Sequence, residues 1–115
     1  VSGLNPEIMG LGPIEAIRQT LGRANMTIDQ IDLVEINEAF ACQVIGSARH
    51  LGIDLDTQMN IHGGAIALGH PFGMTGARIM TTLINGLQFE DKTFGLESMC
   101  VGGGQGMAMI VERLS

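Results

Sequence analysis

The sequence predicts an α/β fold, a mixed sheet with helices packed on it, and three observations support this prediction. Segments with apolar residues about 3.6 positions apart alternate with short runs rich in branched side chains. Two such runs near the end of the chain flank a glycine-rich turn, which is typical of antiparallel neighbours. Of the 115 residues, 45% are hydrophobic and 16% are charged, so residues 1–115 are enough for one modest domain.

The first half of the chain predicts an irregular segment, a helix, a strand and a second helix. Residues 1–12 contain three glycines and a proline, and we expect no regular structure there. Pro13 opens a helix over 13–25, residues 32–36 form a strand, and a helix over 38–51 ends before Gly52. The residues predicted to face inward are Ile14, Ile17, Leu21 and Ala24 in the first helix, and Phe40, Ala41, Val44, Ile45, Ala48 and Leu51 in the second.

The second half is centred on a glycine-rich stretch, residues 60–78, which surrounds His70 (NIHGGAIALGHPFGMTGAR). Glycine loses much conformational entropy on folding, so we expect some group to approach the backbone closely here. A helix is predicted over 73–88, with an apolar stripe formed by Ile79, Met80, Leu83, Ile84 and Leu87. Strands over 93–101 and 106–114 then pair in antiparallel fashion across the glycine turn.

Charge and composition exclude several classes of partner. The net charge is −6, with only six Lys and Arg residues and no Trp or Tyr, so we expect neither a nucleic-acid nor an anionic-membrane surface. No long apolar run and no signal-peptide pattern is present, and we expect a cytoplasmic protein. Cys42 and Cys100 are predicted to be free thiols, with Cys42 in the core, and the three histidines lack metal-ligand spacing.

Three polar residues occupy equivalent positions in the predicted elements. Asn37 follows a strand, His70 precedes a helix, and Cys100 ends a strand before a run of glycines. Such edges of α/β sheets bind ligands, and the nearby helix N-terminus would favour a neutral His70 imidazole. Each residue also has an ordinary structural interpretation: Asn37 as a helix N-cap, His70 as a loop histidine, and Cys100 as a small buried hydrophobe.

Three blocks of the sequence resemble signature segments of a known family. They are NEAFA at 37–41, the glycine-rich stretch at 60–78, and CVGGGQGMAMIVE at 100–112, and MGLGP at 9–13 resembles a fourth. All four are similar, in order and spacing, to the C-terminal half of thiolases, the acetyl-CoA acetyltransferases and 3-ketoacyl-CoA thiolases. The resemblance covers essentially the whole chain. It implies a thiolase-like C-terminal half, which we expect to lack the first strand and helix of that half.

The resemblance implies an acyltransferase of fatty acid metabolism that condenses or thiolytically cleaves 3-ketoacyl-CoA. The resemblance implies that His70 activates the nucleophilic cysteine and that, with a water held by Asn37, it forms an oxyanion hole. Cys100 would be the acid/base that exchanges the α-proton of acetyl-CoA. Gly102 would donate its backbone N–H to a second oxyanion hole. Coenzyme A is a substrate in this chemistry, and no cofactor is implied.

The resemblance also implies partners for the chain. Met9, Ala39 and Phe40 are similar to positions that line the pantetheine channel. The family's nucleophilic cysteine belongs to an N-terminal half, and neither Cys42 nor Cys100 stands in a nucleophile motif. We therefore expect acyl-CoA, an N-terminal thiolase half and further copies of the enzyme as partners, and no turnover by the chain alone. The alternative is a non-catalytic thiolase-like module for binding or assembly.

Overall fold

A computed structural model describes residues 1–114 of the chain. Its strands are β1 (Ser2–Gly3), β2 (Leu33–Ile36), β3 (Phe94–Val101) and β4 (Gln105–Glu112). Its α-helices are α1 (Gly12–Ala24), α2 (Ala41–Leu51), α3 (Ala65–Leu68) and α4 (Thr75–Phe89), and short 3-10 helices span Pro6–Leu11 and Ile28–Gln30. No helix within these residues is long and apolar enough to cross a membrane.

The four strands form one mixed sheet in the order β1-β4-β3-β2. Strands β2 and β3 are parallel, and Leu33 lies opposite Gly95 at the start of their register. Strands β3 and β4 are antiparallel along their whole length, from Phe94 opposite Glu112 to Val101 opposite Gln105. The predicted mixed sheet, and the antiparallel pair across the glycine turn, are thus confirmed.

Helices α1 and α2 cover one face of the sheet. Because strand side chains alternate between the faces, Val34 and Ile36 of β2 point to this side together with Leu96 of β3. They form the larger core cluster, whose buried members are Ile17, Leu21, Ile31, Val34, Ile36, Val44, Ala48, Ile53, Met59 and Leu96. This cluster holds α1 and α2 on the sheet.

Helix α4 covers the other face. Leu83 and Leu87 of α4 pack on Leu33 of β2 in a second, smaller cluster. Gly95 of β3 permits this approach, because a Cβ atom there would lie only 2.9 Å from the Leu83 side chain. All four residues of β2 are buried, since this strand is covered on both faces.

The structure differs from the predicted elements at several boundaries. Residues 1–12 are not irregular: they contain β1 and a 3-10 helix, whose N-cap Asn5 accepts the Glu7 N–H at 3.1 Å. Helix α2 begins at Ala41 rather than at residue 38, and α4 begins at Thr75 rather than at residue 73. The short helix α3 was not predicted, because its four residues are too few to show a period.

Some residues predicted to be inward are exposed instead. The exposed fractions of Phe40, Ile45 and Ile84 are 59%, 40% and 44%. Ala24, Ala41 and Cys42 are exposed as well. The inward face of α2 is formed by Gln43, Val44, Ser47 and Ala48, so the prediction of a core position for Cys42 is wrong. Periodicity locates an apolar stripe, but tertiary packing decides which part of it is covered.

Candidate active site

Asn37 lies directly after β2 and is almost fully buried, with an exposed fraction of 1%. Its backbone N–H donates to the Ser98 carbonyl at 3.0 Å and so extends the pairing with β3. Its side-chain Nδ2 lies 3.5 Å from Nδ1 and 3.4 Å from Nε2 of His70. Because α2 begins only at Ala41, with Phe40 as its N-cap residue, Asn37 is not the cap of that helix.

The Oδ1 atom of Asn37 is also buried, and it has no hydrogen-bond partner within residues 1–114. A buried acceptor of this kind is costly unless a donor reaches it. An unsatisfied buried oxygen of this kind is rare in folded proteins, and it marks Asn37 as a functional candidate.

His70 lies in the loop between α3 and α4. Gly69, at the end of α3, has φ +95°, a backbone conformation that glycine adopts readily and that turns the chain toward His70. The His70 ring is partly buried, and the edge-on ring of Phe72 lies 5.2 Å from it between centroids. Phe72 itself is 87% exposed, so one side of this loop is an open apolar surface.

Thr75, the first residue of α4, holds the other side of the His70 ring. The Oγ1 of Thr75 lies 2.6 Å from Nδ1 of His70 and 3.0 Å from the Pro71 carbonyl oxygen. The sequence analysis missed this residue. A hydroxyl residue in the first turn of a helix, five positions after a candidate histidine, was the signal that could have identified it.

Glu38 holds the glycine-rich loop in place. Its Oε1 accepts a hydrogen bond from Asn60 Nδ2 at 3.0 Å, and its Oε2 accepts one from the Ile66 N–H, near the start of α3, at 2.8 Å. The carboxylate lies directly against Gly64, where a Cβ atom would collide with it. At Gly64, the group that we expected to approach the glycine-rich backbone is therefore the Glu38 side chain.

Asn60 connects this loop to β2. Its Oδ1 accepts the Ile36 N–H at 3.0 Å, and its Nδ2 donates to the Ile36 carbonyl at 2.9 Å. The side-chain amide thus imitates the backbone of a neighbouring strand, immediately before Asn37. Asn60 has φ +49°, a left-handed conformation that asparagine tolerates better than most residues.

A buried group of charges lies on the same face of the sheet as Asn37. Nη1 of Arg78, from α4, lies 3.4 Å from Oε2 of Glu35. Burial raises the pKa of Glu35 to about 7, although the Arg78 charge acts to lower it. Glu97, opposite Glu35 in the register, also has its pKa raised by burial.

Cys100 lies near the end of β3, opposite Gly106 of β4, and is partly buried. Since β2 and β3 are parallel, their carboxyl ends meet at one edge of the sheet, and Cys100 is two residues beyond Ser98, the partner of the Asn37 N–H. Alternation places Cys100 on the face of Leu96. Among the described residues its thiol forms no hydrogen bond with Asn37 or His70. The structure thus brings Asn37 and His70 into contact, whereas Cys100 lies at the same edge of the sheet but on the opposite face from Asn37.

The turn after Cys100 requires glycine for conformational reasons. Gly102, Gly103 and Gly104 have φ values of +59°, +66° and +148°, which side chains with a Cβ atom rarely adopt. Gly102 and Gly103 are exposed. The backbone of this turn is therefore open to an approaching group at the same edge of the sheet as Asn37.

Comparison with known proteins decides the family. A family model described as the thiolase C-terminal domain matches residues 1–113.

The chain belongs to the thiolase family.

Its relatives include an acetyl-CoA acetyltransferase of Escherichia coli, 50% identical over 113 residues that make up 98% of this chain and 28% of that protein. A 3-ketoacyl-CoA thiolase of Photobacterium profundum is 51% identical, over 99% of this chain and 30% of that protein. The chain therefore spans less than a third of the length of these relatives. The predicted resemblance to thiolases is confirmed.

Solved structures agree with the fold. The acetyl-CoA acetyltransferase of Bacillus anthracis has a TM-score of 0.94 at 43% identity, over 98% of this chain and 28% of that one. Human mitochondrial 3-ketoacyl-CoA thiolase has a TM-score of 0.92 at 45% identity, over 96% of this chain and 28% of that one. The predicted fold, that of the thiolase C-terminal domain, is thus confirmed.

The residues expected to line the pantetheine channel of this thiolase domain lie in two segments. Ala39 and Phe40 belong to the connection between Asn37 and α2, and Phe40 exposes 59% of its surface. Met9 is partly buried in the first 3-10 helix, where neighbouring Gly10 packs against the Gln43 side chain of α2. Their role in binding stays a prediction.

An open groove of the thiolase domain, about 540 Å³ in volume, is lined by none of the residues of the Asn37–His70 contact. Its lining residues are His62, Thr82, Asn85, Gly86, Gln88 and Phe89, none of which is a predicted site residue. His62 lies 3.5 Å from the Glu90 carboxylate. Within residues 1–114, no group of three or more His, Cys, Asp or Glu side chains is arranged to hold a metal ion.

Proposed function

We propose that this chain is the C-terminal part of an acyl-CoA C-acyltransferase that catalyses the reversible condensation and thiolytic cleavage of 3-ketoacyl-CoA. The observation that carries the proposal is the contact between buried Asn37 and His70, with Nδ2 3.4 Å from Nε2. The names of the relatives, acetyl-CoA acetyltransferase and 3-ketoacyl-CoA thiolase, agree with this reaction. One related structure, the human mitochondrial 3-ketoacyl-CoA thiolase, is a complex with CoA.

In cleavage, His70 takes the proton of a nucleophilic cysteine that another part of the protein supplies. The thiolate attacks the 3-keto carbon, and the bond between C2 and C3 breaks with its electron pair leaving on the acetyl-CoA portion. Cys100 donates a proton to that carbanion. The acyl group then passes from the cysteine to a second CoA, whose thiol proton goes to the Cys100 thiolate, while the released cysteine thiolate takes its proton back from His70. Condensation runs these steps in reverse, with Cys100 removing the α-proton.

Two sets of donors stabilise the oxygen atoms that become negative in these steps. The unpartnered Oδ1 of Asn37 supports the binding of a water, which donates one hydrogen to Asn37 and the other to the thioester oxygen. His70 joins this water once Nε2 carries the proton. The Gly102 N–H serves the second oxyanion, in a turn whose positive φ values keep its backbone open. Preorganised donors of this type are among the largest contributors to catalysis.

The surface around Asn37 and His70 is also proposed to bind the substrate and the protein partners. Met9, Ala39 and Phe40 would contact the pantetheine arm of acyl-CoA. Two apolar side chains near His70 are largely exposed. The exposed fractions are 87% for Phe72, in the same loop, and 68% for Ile66, in α3. We propose that an N-terminal thiolase half packs against these apolar side chains and supplies the nucleophile. The complete enzyme would be a homo-oligomer.

A complementation assay tests the proposed function. Thiolysis of acetoacetyl-CoA by free CoA is measured with the purified chain alone, and again after a separately made N-terminal thiolase half is added. We expect turnover only with the added half. Turnover by the chain alone would contradict the role of an external nucleophile. Association of the halves without turnover would favour the alternative, a non-catalytic module for assembly.

Substitutions in the complemented enzyme separate the roles. Loss of a general acid or base in His70→Asn or Cys100→Ser is expected to lower kcat by about 10²- to 10⁴-fold. Asn37→Ala is expected to lower it by about 10²-fold, the cost of losing the water that Asn37 holds as an oxyanion-hole donor. Cys42→Ser is the matched control for Cys100→Ser, because Cys42 is exposed on α2, and its activity is expected to be unchanged. Equal activity of the Cys100→Ser and Cys42→Ser enzymes would contradict the assignment of Cys100.

A further inference from the structure

The hydrogen bonds around Thr75 define which nitrogen of His70 carries the proton. Thr75 is buried, with an exposed fraction of 1%, and its Oγ1 has two close neighbours. Nδ1 of His70 lies at 2.6 Å and the Pro71 carbonyl oxygen at 3.0 Å. Since α4 fixes the backbone of Thr75, this hydroxyl is held where it can serve both neighbours at once.

A hydroxyl group has one proton to donate, so the two contacts cannot both be donations by Thr75. The Pro71 carbonyl oxygen is only an acceptor. This oxygen also accepts the backbone N–H groups of Met74 and Thr75, at 2.9 and 3.1 Å, and the Thr75 hydroxyl donates to it at 3.0 Å, the usual bond of a helical threonine to the carbonyl four residues earlier. The contact of 2.6 Å with His70 also needs a proton, which must then come from Nδ1 of the imidazole.

The position of Asn37 leaves the other ring nitrogen accessible. Its Nδ2 is nearly equidistant from Nδ1 and Nε2, at 3.5 and 3.4 Å. An atom at nearly equal distances from both nitrogens does not lie along the lone pair of either one. The lone pair of Nε2 is therefore not blocked by the Asn37 amide.

We propose that Thr75 is a positioning residue that holds neutral His70 in the Nδ1–H tautomer and so makes Nε2 the basic nitrogen. Thr75 acts through His70 and does not touch the substrate. The part of this inference that concerns catalysis rests on the proposed function, because it assigns to Nε2 the proton of the nucleophilic cysteine. The tautomer itself concerns only residues 70–75.

The test is the ¹⁵N NMR spectrum of the imidazole groups in histidine-labelled full-length protein, at a pH at which His70 is neutral. The His70→Asn protein identifies the signals. We expect Nδ1 to show the shift of a protonated nitrogen and Nε2 that of an unprotonated one. Thr75→Val removes the hydroxyl at similar size and is expected to lose this preference, whereas Thr75→Ser keeps it. The reverse tautomer in the unsubstituted protein would overturn the proposal.

Kinetics of the same variants test the catalytic part. Thr75→Val is expected to lower kcat for thiolysis by at least about tenfold with little change in KM, because orienting the base affects the chemical step. Thr75→Ser is expected to restore most of the rate. Thr81→Val is the control, since Thr81 makes the same type of bond within α4, to the Ala77 carbonyl at 2.7 Å, away from any histidine.

The two measurements separate the possible failures. An Nδ1–H tautomer together with an unchanged kcat in Thr75→Val would overturn the catalytic role of Thr75 alone. Absence of thiolase activity in the unsubstituted protein would count against the proposed function, while the NMR spectrum would still decide the tautomer. Equal losses in Thr75→Val and Thr81→Val would assign the effect to the stability of α4 and so contradict the positioning role.

Discussion

Glu35 and Glu97 lie directly opposite each other on the parallel strands β2 and β3, on the face of the sheet that α4 covers. Arg78 of α4 approaches Glu35 at 3.4 Å. Burial raises the pKa values of both carboxyl groups, and the nearby Glu97 charge raises the pKa of Glu35 further. Two acids and one guanidinium in this position couple the stability of the domain to pH.

The stability of the domain is expected to fall as the pH rises from about 4.5 to about 7. The pKa of Glu35 is raised from 4.5 to about 7, so in this window the folded protein keeps a proton that the unfolded chain releases. The free energy of unfolding then decreases by up to about 1.4 kcal/mol per pH unit through this group, and is unaffected by it above about pH 7.

Urea unfolding of the Glu35→Gln protein at several pH values checks this prediction. The substitution is expected to remove the contribution of Glu35 to the slope. Glu112→Gln, at the exposed end of β4, is the control and should keep it. An unchanged slope in Glu35→Gln would show that Glu35 is not the coupled group.

Loss of Arg78 is expected to be more costly at high pH than at low pH. Arg78→Met leaves Glu35 buried without its opposite charge, which costs about 3–5 kcal/mol when Glu35 is ionised. The cost should shrink near pH 5, where Glu35 is protonated. Arg113→Met is the matched control, because Arg113 pairs with Asp91 on the surface and should cost at most about 1 kcal/mol. Thermal unfolding at both pH values measures the difference, and an equal cost of Arg78→Met at both would refute the coupling.

Gly106→Ala is expected to destabilise the domain severely. Gly106 lies opposite Cys100 and against Gly12 of α1, and an added Cβ atom would collide with the Gly12 carbonyl group. Since the colliding atoms belong to the backbone and cannot rotate away, we expect a loss of more than about 3 kcal/mol. Gly3→Ala, with no atom within 4 Å of the added Cβ, should change stability by less than about 0.5 kcal/mol. Denaturant midpoints compare the two, and similar values would mean that α1 can move away from β4.

Glu38→Ala is expected to loosen the loop that carries His70. The substitution removes the acceptor of the Ile66 N–H and of one Asn60 hydrogen, and hydrogen bonds to a charged group contribute about 1.5–3 kcal/mol. Amide hydrogen exchange at Ile66 should therefore become faster. Glu15→Ala, which removes only an exposed contact with Gln19, is the control and should leave this amide unchanged. Slow exchange at Ile66 in both variants would show that Glu38 does not hold the loop.

Local signals were sufficient to predict most of the helices and strands. Pro13 and the apolar period predicted α1 to within about a residue, and the glycines after Cys100 predicted the antiparallel turn, because these preferences act between near neighbours. The start of α2 was predicted three residues too early. There the backbone follows tertiary contacts: the Asn37 N–H pairs with β3, and Glu38 turns toward the glycine-rich loop.

The candidate site was predicted in part. Residues with a local signal were identified, and residues that depend on tertiary contacts were missed. Asn37, His70 and Cys100 were identified because polar residues at sheet edges and helix starts stand out in a sequence. Thr75 and Glu38 did not stand out, since a hydroxyl in a helix and a carboxylate after a strand are both common. Their importance depends on what lies beside them in space.

By itself, the sequence determined the α/β class, the order of the main elements, the antiparallel end of the sheet and the residue types available for chemistry. These follow from periodicity, turn residues and composition, which are properties of neighbouring positions. Only the tertiary structure decided that Asn37 contacts His70 across 33 positions of the chain. It alone placed Glu38 against Gly64 and Arg78 beside Glu35. Such contacts arise from the packing of separate segments on one sheet, which no local pattern records.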